Sequence, residues 1–269
     1  MNETLSYQLL HLNELKKRID LRGKCVLEIG GCLPRSHAIE ATGASRWIGV
    51  DLPDYWQESG DDNPSQSYEA PRFPIGKADD CAGLDYALLL GDAIDLPKGT
   101  GPFNAVFSSC AFEHIQGLEE RLRAIRNFLA PGGVLLAVAM PIWSSPHGAH
   151  LLPIRDNDGK TWQPEELHLP DWHQLLLTPE EMEKHLSERK IPVEIIDKAV
   201  DWVHRSPHLN RLFAGDYVQL AESAGYSTCS TFFPEAVGWA NRETMQVLEM
   251  LYPGKGPFDR AGIMIELWK

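Results

Sequence analysis

A chain of 269 residues with 43% hydrophobic and 23% charged side chains can bury a large core, and this composition excludes collagen-like, disordered and disulfide-scaffold classes. Its 25 Lys and Arg against 38 Asp and Glu give a net charge of −13, the wrong sign for neutralising nucleic-acid phosphates, so no nucleic-acid partner is expected. No apolar run reaches the length of a bilayer span, and the first 20 residues mix leucines with Glu3, Glu14, Lys16, Lys17 and Arg18, unlike a secretory signal. A cytoplasmic protein with no membrane partner is expected. The five cysteines, Cys25, Cys32, Cys81, Cys110 and Cys229, form no C-x-x-C pair and read as reduced thiols.

Leu5, Leu9, Leu12, Leu15 and Ile19 recur at spacings of three and four, which predicts an N-terminal amphipathic helix. Lys24–Ile29 is a short apolar run ending in Gly30-Gly31, followed by a helix-like stretch from Ser36 and a second run, Arg46–Val50, ending at Asp51. Strand, helix, strand is the natural reading. Residues 52–80 carry four prolines and little periodicity, which predicts a long loop or surface excursion. Tyr86–Leu90, Ala105–Ser109 and Val134–Ala139 read as buried strands, the last two flanking a helix with Leu118, Leu122, Ile125 and Leu129 on one face that stops at Pro131-Gly132-Gly133. Apolar strands alternating with helices predict a doubly wound α/β sheet, parallel and covered on both faces. From Pro141 to Pro207 the pattern breaks, and four of the eight tryptophans, Trp143, Trp162, Trp172 and Trp202, fall in this stretch. It reads as an inserted cap. Beyond it, Leu209–Gly225 and Thr244–Leu251 read as helices, and Ser227–Phe233 and Ala261–Trp268 as strands that complete the sheet.

In an open parallel sheet, ligands bind beyond the carboxyl ends of the strands. Those ends carry Glu28-Ile29-Gly30-Gly31, then Asp51-Leu52, then Gly91-Asp92-Ala93, then Ser108-Ser109-Cys110 through His114. Glycine after the first strand lets backbone approach a ligand, and an acid about 20 residues later can accept hydrogen bonds from ribose hydroxyls. Three strand ends that agree point to a nucleoside-containing cofactor.

The segments VLEIGG (26–31), WIGVDLP (47–53), GDAIDLP (91–97), FNAVFSSCAFEHI (103–115) and LAPGGVLL (129–136) resemble, in order and spacing, the class I S-adenosylmethionine-dependent methyltransferases, in particular the ubiquinone-biosynthesis-like and small-molecule O-methyltransferase group. The resemblance implies a Rossmann-like sheet of seven strands with the last antiparallel, and S-adenosyl-L-methionine as cofactor, with S-adenosyl-L-homocysteine as product. Carried over by position, Glu28, Gly30 and Gly31 line its methionine end, Asp51 with Leu52 binds the ribose, Asp92 and Ala93 hold the adenine, and Ser109 and Cys110 face the methionine portion or the acceptor. The sequence departs from the family pattern at Cys32 and Pro34, which stand where second and third glycines are usual, and at Asn104, where Asp is common. An NAD enzyme shares the acid and the glycines, but its G-x-G-x-x-G fingerprint is broken by Cys32.

Methyl transfer to a hydroxyl needs a positioned acceptor and a base or a metal to deal with its proton. The candidate bases are His114, in the fourth-strand loop, and His147 and His150, just after the fifth strand. His114 also reads as part of the turn into the next helix, and His168 and His173 as cap packing. No ligand set has zinc spacing, so no metal is expected. The sequence thus predicts an N-terminal helix (1–20), a cofactor-binding core (21–140), a cap that binds acceptor (141–207) and a C-terminal completion of the sheet (208–269). The expected activity is O-methylation of a small molecule, a sugar or glycan precursor or a secondary metabolite. A catalytically inactive methyltransferase-like binding subunit and a protein or peptide methyltransferase are the alternatives. The N-terminal helix and the cap are candidate surfaces for a homodimer.

Overall fold

The computed structural model describes residues 3–52, 70–81, 83–232 and 242–269. In chain order, the strands are β1 (Cys25–Ile29), β2 (Arg46–Asp51), β3 (Arg72–Pro74), β4 (Tyr86–Leu90), β5 (Phe103–Ser109), β6 (Leu129–Ala139), β7 (Ile154–Arg155), β8 (Thr161–Trp162), β9 (Thr228–Phe232) and β10 (Ile263–Trp268). The α-helices are α1 (Glu3–Arg18), α2 (Leu118–Phe128), α3 (His173–Leu176), α4 (Pro179–Glu188), α5 (Val193–Arg205), α6 (Ala214–Ser223) and α7 (Arg242–Leu251).

The main sheet runs β3-β4-β2-β1-β5-β6-β10-β9. Every pair from β3 to β6 is parallel, and β10 is antiparallel to both of its neighbours. The seven expected strands are therefore present with the final one reversed, and β3 adds an eighth at the edge. The sequence reading missed β3 because it treated Pro71 and Pro74 as loop signals, whereas an edge strand tolerates proline. Residues 53–69 of the expected excursion, and Phe233 of the expected strand, lie outside the described residues.

Alternate strand residues feed two cores. Val26, Trp47, Leu88 and Phe107 pack with Leu12 and Leu15 of α1 on one face, while Leu27, Ile48, Leu89 and Val106 pack with Leu122 and Ile125 of α2 and Tyr217 of α6 on the other. That period of two on a sheet buried on both faces is why each strand reads as continuously apolar. Arg18, at the end of α1, also bonds Glu266 of β10 at 2.8 Å, fixing the helix across the sheet. The helix expected from Ser36 is a five-residue π-helix, Ser36–Glu40. Pro131-Gly132-Gly133 leaves the ladder, since Phe103 pairs with Leu129 but Ala105 pairs with Val134.

The stretch expected to form a cap contributes to a third core, built on Trp172, Leu175, Met182, Ile195 and Val203. The Trp172 indole N–H donates to the carbonyls of Ser144 (3.1 Å) and Phe258 (3.0 Å). Leu248 of α7 and Phe258 belong to the same core, so the C-terminal segment braces the cap as well as completing the sheet. No helix of the described residues is long and apolar enough to cross a membrane.

Candidate functional site

The loop after β1 is shaped by close contact. Gly30 has φ +84°, and a Cβ there would lie 2.1 Å from the Cβ of Ala111, so only glycine fits without displacing the fourth-strand loop. Its N–H donates to the Val50 carbonyl at 2.8 Å. Gly49 on β2 makes room from below, where a Cβ would lie 2.3 Å from the Gly31 carbonyl oxygen. Cys32, at the position of a family glycine, is fully buried with Sγ 3.9 Å from the Ala87 carbonyl. The thiol therefore turns into the sheet, away from the ligand side. Glu28 Oε2 accepts hydrogen bonds from the Leu33 N–H (2.9 Å) and the Trp47 indole N–H (2.6 Å), which pins the loop. Burial pushes this carboxyl up to about 7.

A cavity of about 250 Å³ opens beyond the carboxyl ends of β1, β2, β4 and β5. Of the residues singled out from the sequence, Gly30, Asp51, Leu52, Asp92, Ala93, Cys110 and His114 line it, whereas Glu28, Gly31, Ser109, His147 and His150 are not part of its wall. Asp51 is buried at the end of β2, and Leu52 is 48% exposed. Asp92 is already engaged twice: Oδ1 accepts the Ile94 N–H (3.1 Å), capping the short turn Ala93–Asp95, and Oδ2 accepts Arg121 Nη2 (2.6 Å) and Nε (3.1 Å). Arg121 of α2 itself lines the wall. Cys110, at φ +54°, donates its backbone N–H to the Val138 carbonyl at 2.7 Å. Burial raises its thiol well above the usual range, so it is a neutral group without a nucleophile's thiolate. Ser109 Oγ lies 2.7 Å from Nδ1 of His11 on α1.

At the other end of the cavity, the strap that leaves the cap is stitched to the fourth-strand loop. Gln116 Nε2 donates to the carbonyls of Pro207 (2.7 Å) and Leu209 (2.8 Å), and Asn210 Nδ2 to that of Phe112 (2.6 Å). Pro207 and His208 thereby become part of the wall. His114 Nδ1 donates to the His208 carbonyl at 2.8 Å, and its ring meets His150 edge-on at a centroid distance of 4.7 Å. Burial lowers His114 to about 4 and His150 to about 3, the neighbouring His114 adding to the latter. Both imidazoles are neutral at physiological pH. Beside them Glu113 is buried, and burial raises its carboxyl to about 8. His147 is exposed. None of the four cap tryptophans is in the wall; Trp202 instead holds the His150 carbonyl with its indole N–H at 3.0 Å.

His11, Gln116, Arg121, Pro207 and His208 were not anticipated. Two of them carried a signal: His11 stands four residues before Leu15 and Arg121 four before Ile125, placing a polar group on each helix's apolar stripe. The other three depend on the strap, a tertiary contact with no local signature.

Residues 29–137 match the family model described as a methyltransferase domain. No curated protein matches the chain. Among solved structures, the chain is similar to an S-adenosylmethionine-dependent methyltransferase from Mesorhizobium loti at 14% identity, with 96% of each chain covered and a TM-score of 0.45. It is similar to one from Archaeoglobus fulgidus at 14% identity, over 97% of this chain and 94% of that one, with a TM-score of 0.44. A phosphoethanolamine N-methyltransferase from Haemonchus contortus is 12% identical over 97% of this chain and 52% of that one, with a TM-score of 0.48. Residues 29–137 thus carry a methyltransferase domain, set in a sheet whose final strand runs against its neighbours.

Proposed function

We propose that this enzyme methylates a hydroxyl group of a small molecule in the cytoplasm, a sugar or glycan precursor or a secondary metabolite, in the cavity beyond the sheet. One observation carries the reading: a single continuous wall joins Gly30 and Asp51 to His114. Asp51 would accept the ribose hydroxyls, Gly30 would admit the methionine end against bare backbone, and Ala93 with Asp92 would flank the adenine. Glu28, Gly31 and Ser109 act one layer behind, Glu28 by pinning the glycine loop through its bonds to Leu33 and Trp47. Leu52, exposed at the cavity's edge, would cover the ribose.

Bound there, S-adenosylmethionine would supply a methyl group to the acceptor oxygen, the C–S electron pair staying with its sulfur. The chain's part is mainly positioning. His114 accepts the hydrogen bond of the acceptor hydroxyl and takes its proton on Nε2, since Nδ1 donates to the His208 carbonyl. A weakly basic imidazole suffices, because the oxygen's proton becomes strongly acidic as the new C–O bond forms. The strap Pro207–Asn210 closes this end and excludes water.

Transfer of labelled methyl groups to a panel of hydroxylated sugars, sugar phosphates and phenols tests the reading. His114→Ala is expected to lower kcat by roughly 10²–10⁴-fold while S-adenosylhomocysteine affinity stays within a few-fold. Products methylated at nitrogen or carbon, or an unchanged kcat in His114→Ala, would overturn it.

A further inference from the structure

Glu113, His114 and His150 each bring one candidate ligand atom to a common point, all within 4.8 Å of one another. Hydrogen bonds to the backbone orient all three side chains. His150 Nε2 is 2.5 Å from the Pro141 carbonyl and His114 Nδ1 is 2.8 Å from the His208 carbonyl. A carbonyl only accepts, so each imidazole spends its single N–H there and its second nitrogen carries a lone pair. Glu113 is 3% exposed. Its Oε1 accepts the Met140 N–H at 3.1 Å, while its Oε2 is buried without any hydrogen-bond partner. A carboxyl oxygen so deeply buried without a partner calls for a positive species beside it, a proton or a metal ion.

We propose that Glu113, His114 and His150 bind a divalent transition-metal ion of the zinc class beside the acceptor end of the cavity. Two imidazoles and one carboxylate are the donor set of borderline metals, and hard ions such as magnesium prefer all-oxygen sites. The outer contacts have the expected form, with each imidazole N–H on a backbone carbonyl and the carboxylate's other oxygen on a backbone N–H. The frame is also held: Asn210 N–H bonds the Glu113 carbonyl at 3.0 Å and Trp202 bonds that of His150 at 3.0 Å. Bonds of 2.0–2.2 Å in a tetrahedron separate ligands by about 3.4 Å, so on binding the three ligand atoms would draw in from the 4.8 Å within which they now lie. Three protein ligands leave a fourth position, and His114 belongs to the cavity wall. The inference rests on the proposed function only in what the ion would do there: an acceptor hydroxyl in the fourth position would become more acidic, with His114 a ligand in the loaded protein and a base in the ion-free one.

The test uses the full chain, stripped with chelator and dialysed, then titrated with zinc chloride by calorimetry and with cobalt(II) by visible absorption. One equivalent should bind, with the visible bands of four-coordinate cobalt and a zinc-dependent rise in Tm. Glu113→Gln, which keeps the acceptor for Met140, and His150→Ala should each weaken binding at least tenfold, whereas His147→Ala, at the exposed histidine three residues away, should leave it unchanged. Circular dichroism of both variants establishes that they fold. Absence of stoichiometric binding to the wild type would overturn the proposal, leaving a proton among the three groups. So would equal affinity in Glu113→Gln, or binding that depends on His147. No cofactor or acceptor is used, so failure here leaves the methyl-transfer reading standing. Conversely, zinc binding with no methyl transfer in loaded or stripped protein would count against that reading alone.

Discussion

Glu28→Gln separates the structural work of a buried acid from its charge. In the folded chain this carboxyl titrates at about 7, because it is buried, against its ordinary value of 4.5. At 1.36 kcal/mol per unit, that difference amounts to about 3 kcal/mol. The sign follows from proton counting. Below pH 4.5 the group is protonated in both states and the term is zero. Between 4.5 and 7 the unfolded chain gives up its proton while the folded chain keeps it, so stability falls with rising pH, and above 7 the loss is complete. Glutamine keeps the two bonds, since one carbonyl oxygen can accept from both the Leu33 N–H and the Trp47 indole, as Oε2 does now. It cannot ionise. Urea unfolding of wild type and variant at pH 4.5, 5.5, 6.5 and 7.5 therefore has a defined expected result: relative to the variant, the wild type loses about 3 kcal/mol across the series, at a slope of about 1.4 kcal/mol per pH unit. Subtracting the variant cancels the other groups that titrate in this window. A difference independent of pH would refute the account of Glu28 as a buried acid held neutral by its surroundings.

Gly30→Ala should cost roughly 1–2 kcal/mol for the left-handed backbone alone, with a further loss from the 2.1 Å approach to Ala111 Cβ; the double variant Gly30→Ala, Ala111→Gly should recover the second part in thermal unfolding, and an absence of recovery would rule out that contact. Trp172→Phe leaves the Ser144 and Phe258 carbonyls without their shared donor and should destabilise the protein by about 1–3 kcal/mol, read as a lower urea midpoint; an unchanged midpoint would mean that the indole bonds do not brace the cap. Thr178→Ala removes the acceptor of the Glu181 N–H in the α4 capping box, at a cost of about 1 kcal/mol, and an equal urea midpoint in wild type and variant would contradict that cap.

The sheet was legible because its strands are buried on both faces: Val26-Leu27 and Trp47-Ile48 each place neighbouring residues in opposite cores, leaving runs with no polar interruption. Cys32 was harder to interpret. In the family pattern it reads as a lost glycine, but its side chain turns toward Ala87, and a sequence does not disclose which way a loop residue points. The strand ends pointed to Gly30, Asp51, Asp92 and Cys110, and these four residues line one cavity. They did not reveal that Asp92 is paired with Arg121, a contact between elements 29 residues apart. The cap defeated local reading most fully. Its tryptophans have the composition of a ring-binding pocket, yet Trp172 lies in a separate core and Trp162 packs under Lys160 at 3.5 Å. The gathering of His150 with Glu113 and His114 depends on how the cap folds back, and no spacing in the chain encodes it.

Calorimetric titration of the wild-type protein and Asp51→Ala with S-adenosylhomocysteine tests the central claim, that the cavity at the strand ends holds the cofactor through Asp51. The account predicts saturable binding to one site in the wild type and, in the variant, an affinity weakened by about 1.5–3 kcal/mol, the worth of hydrogen bonds to a charged group, or roughly 10- to 150-fold. No binding by the wild type, or equal affinity in Asp51→Ala, would contradict it.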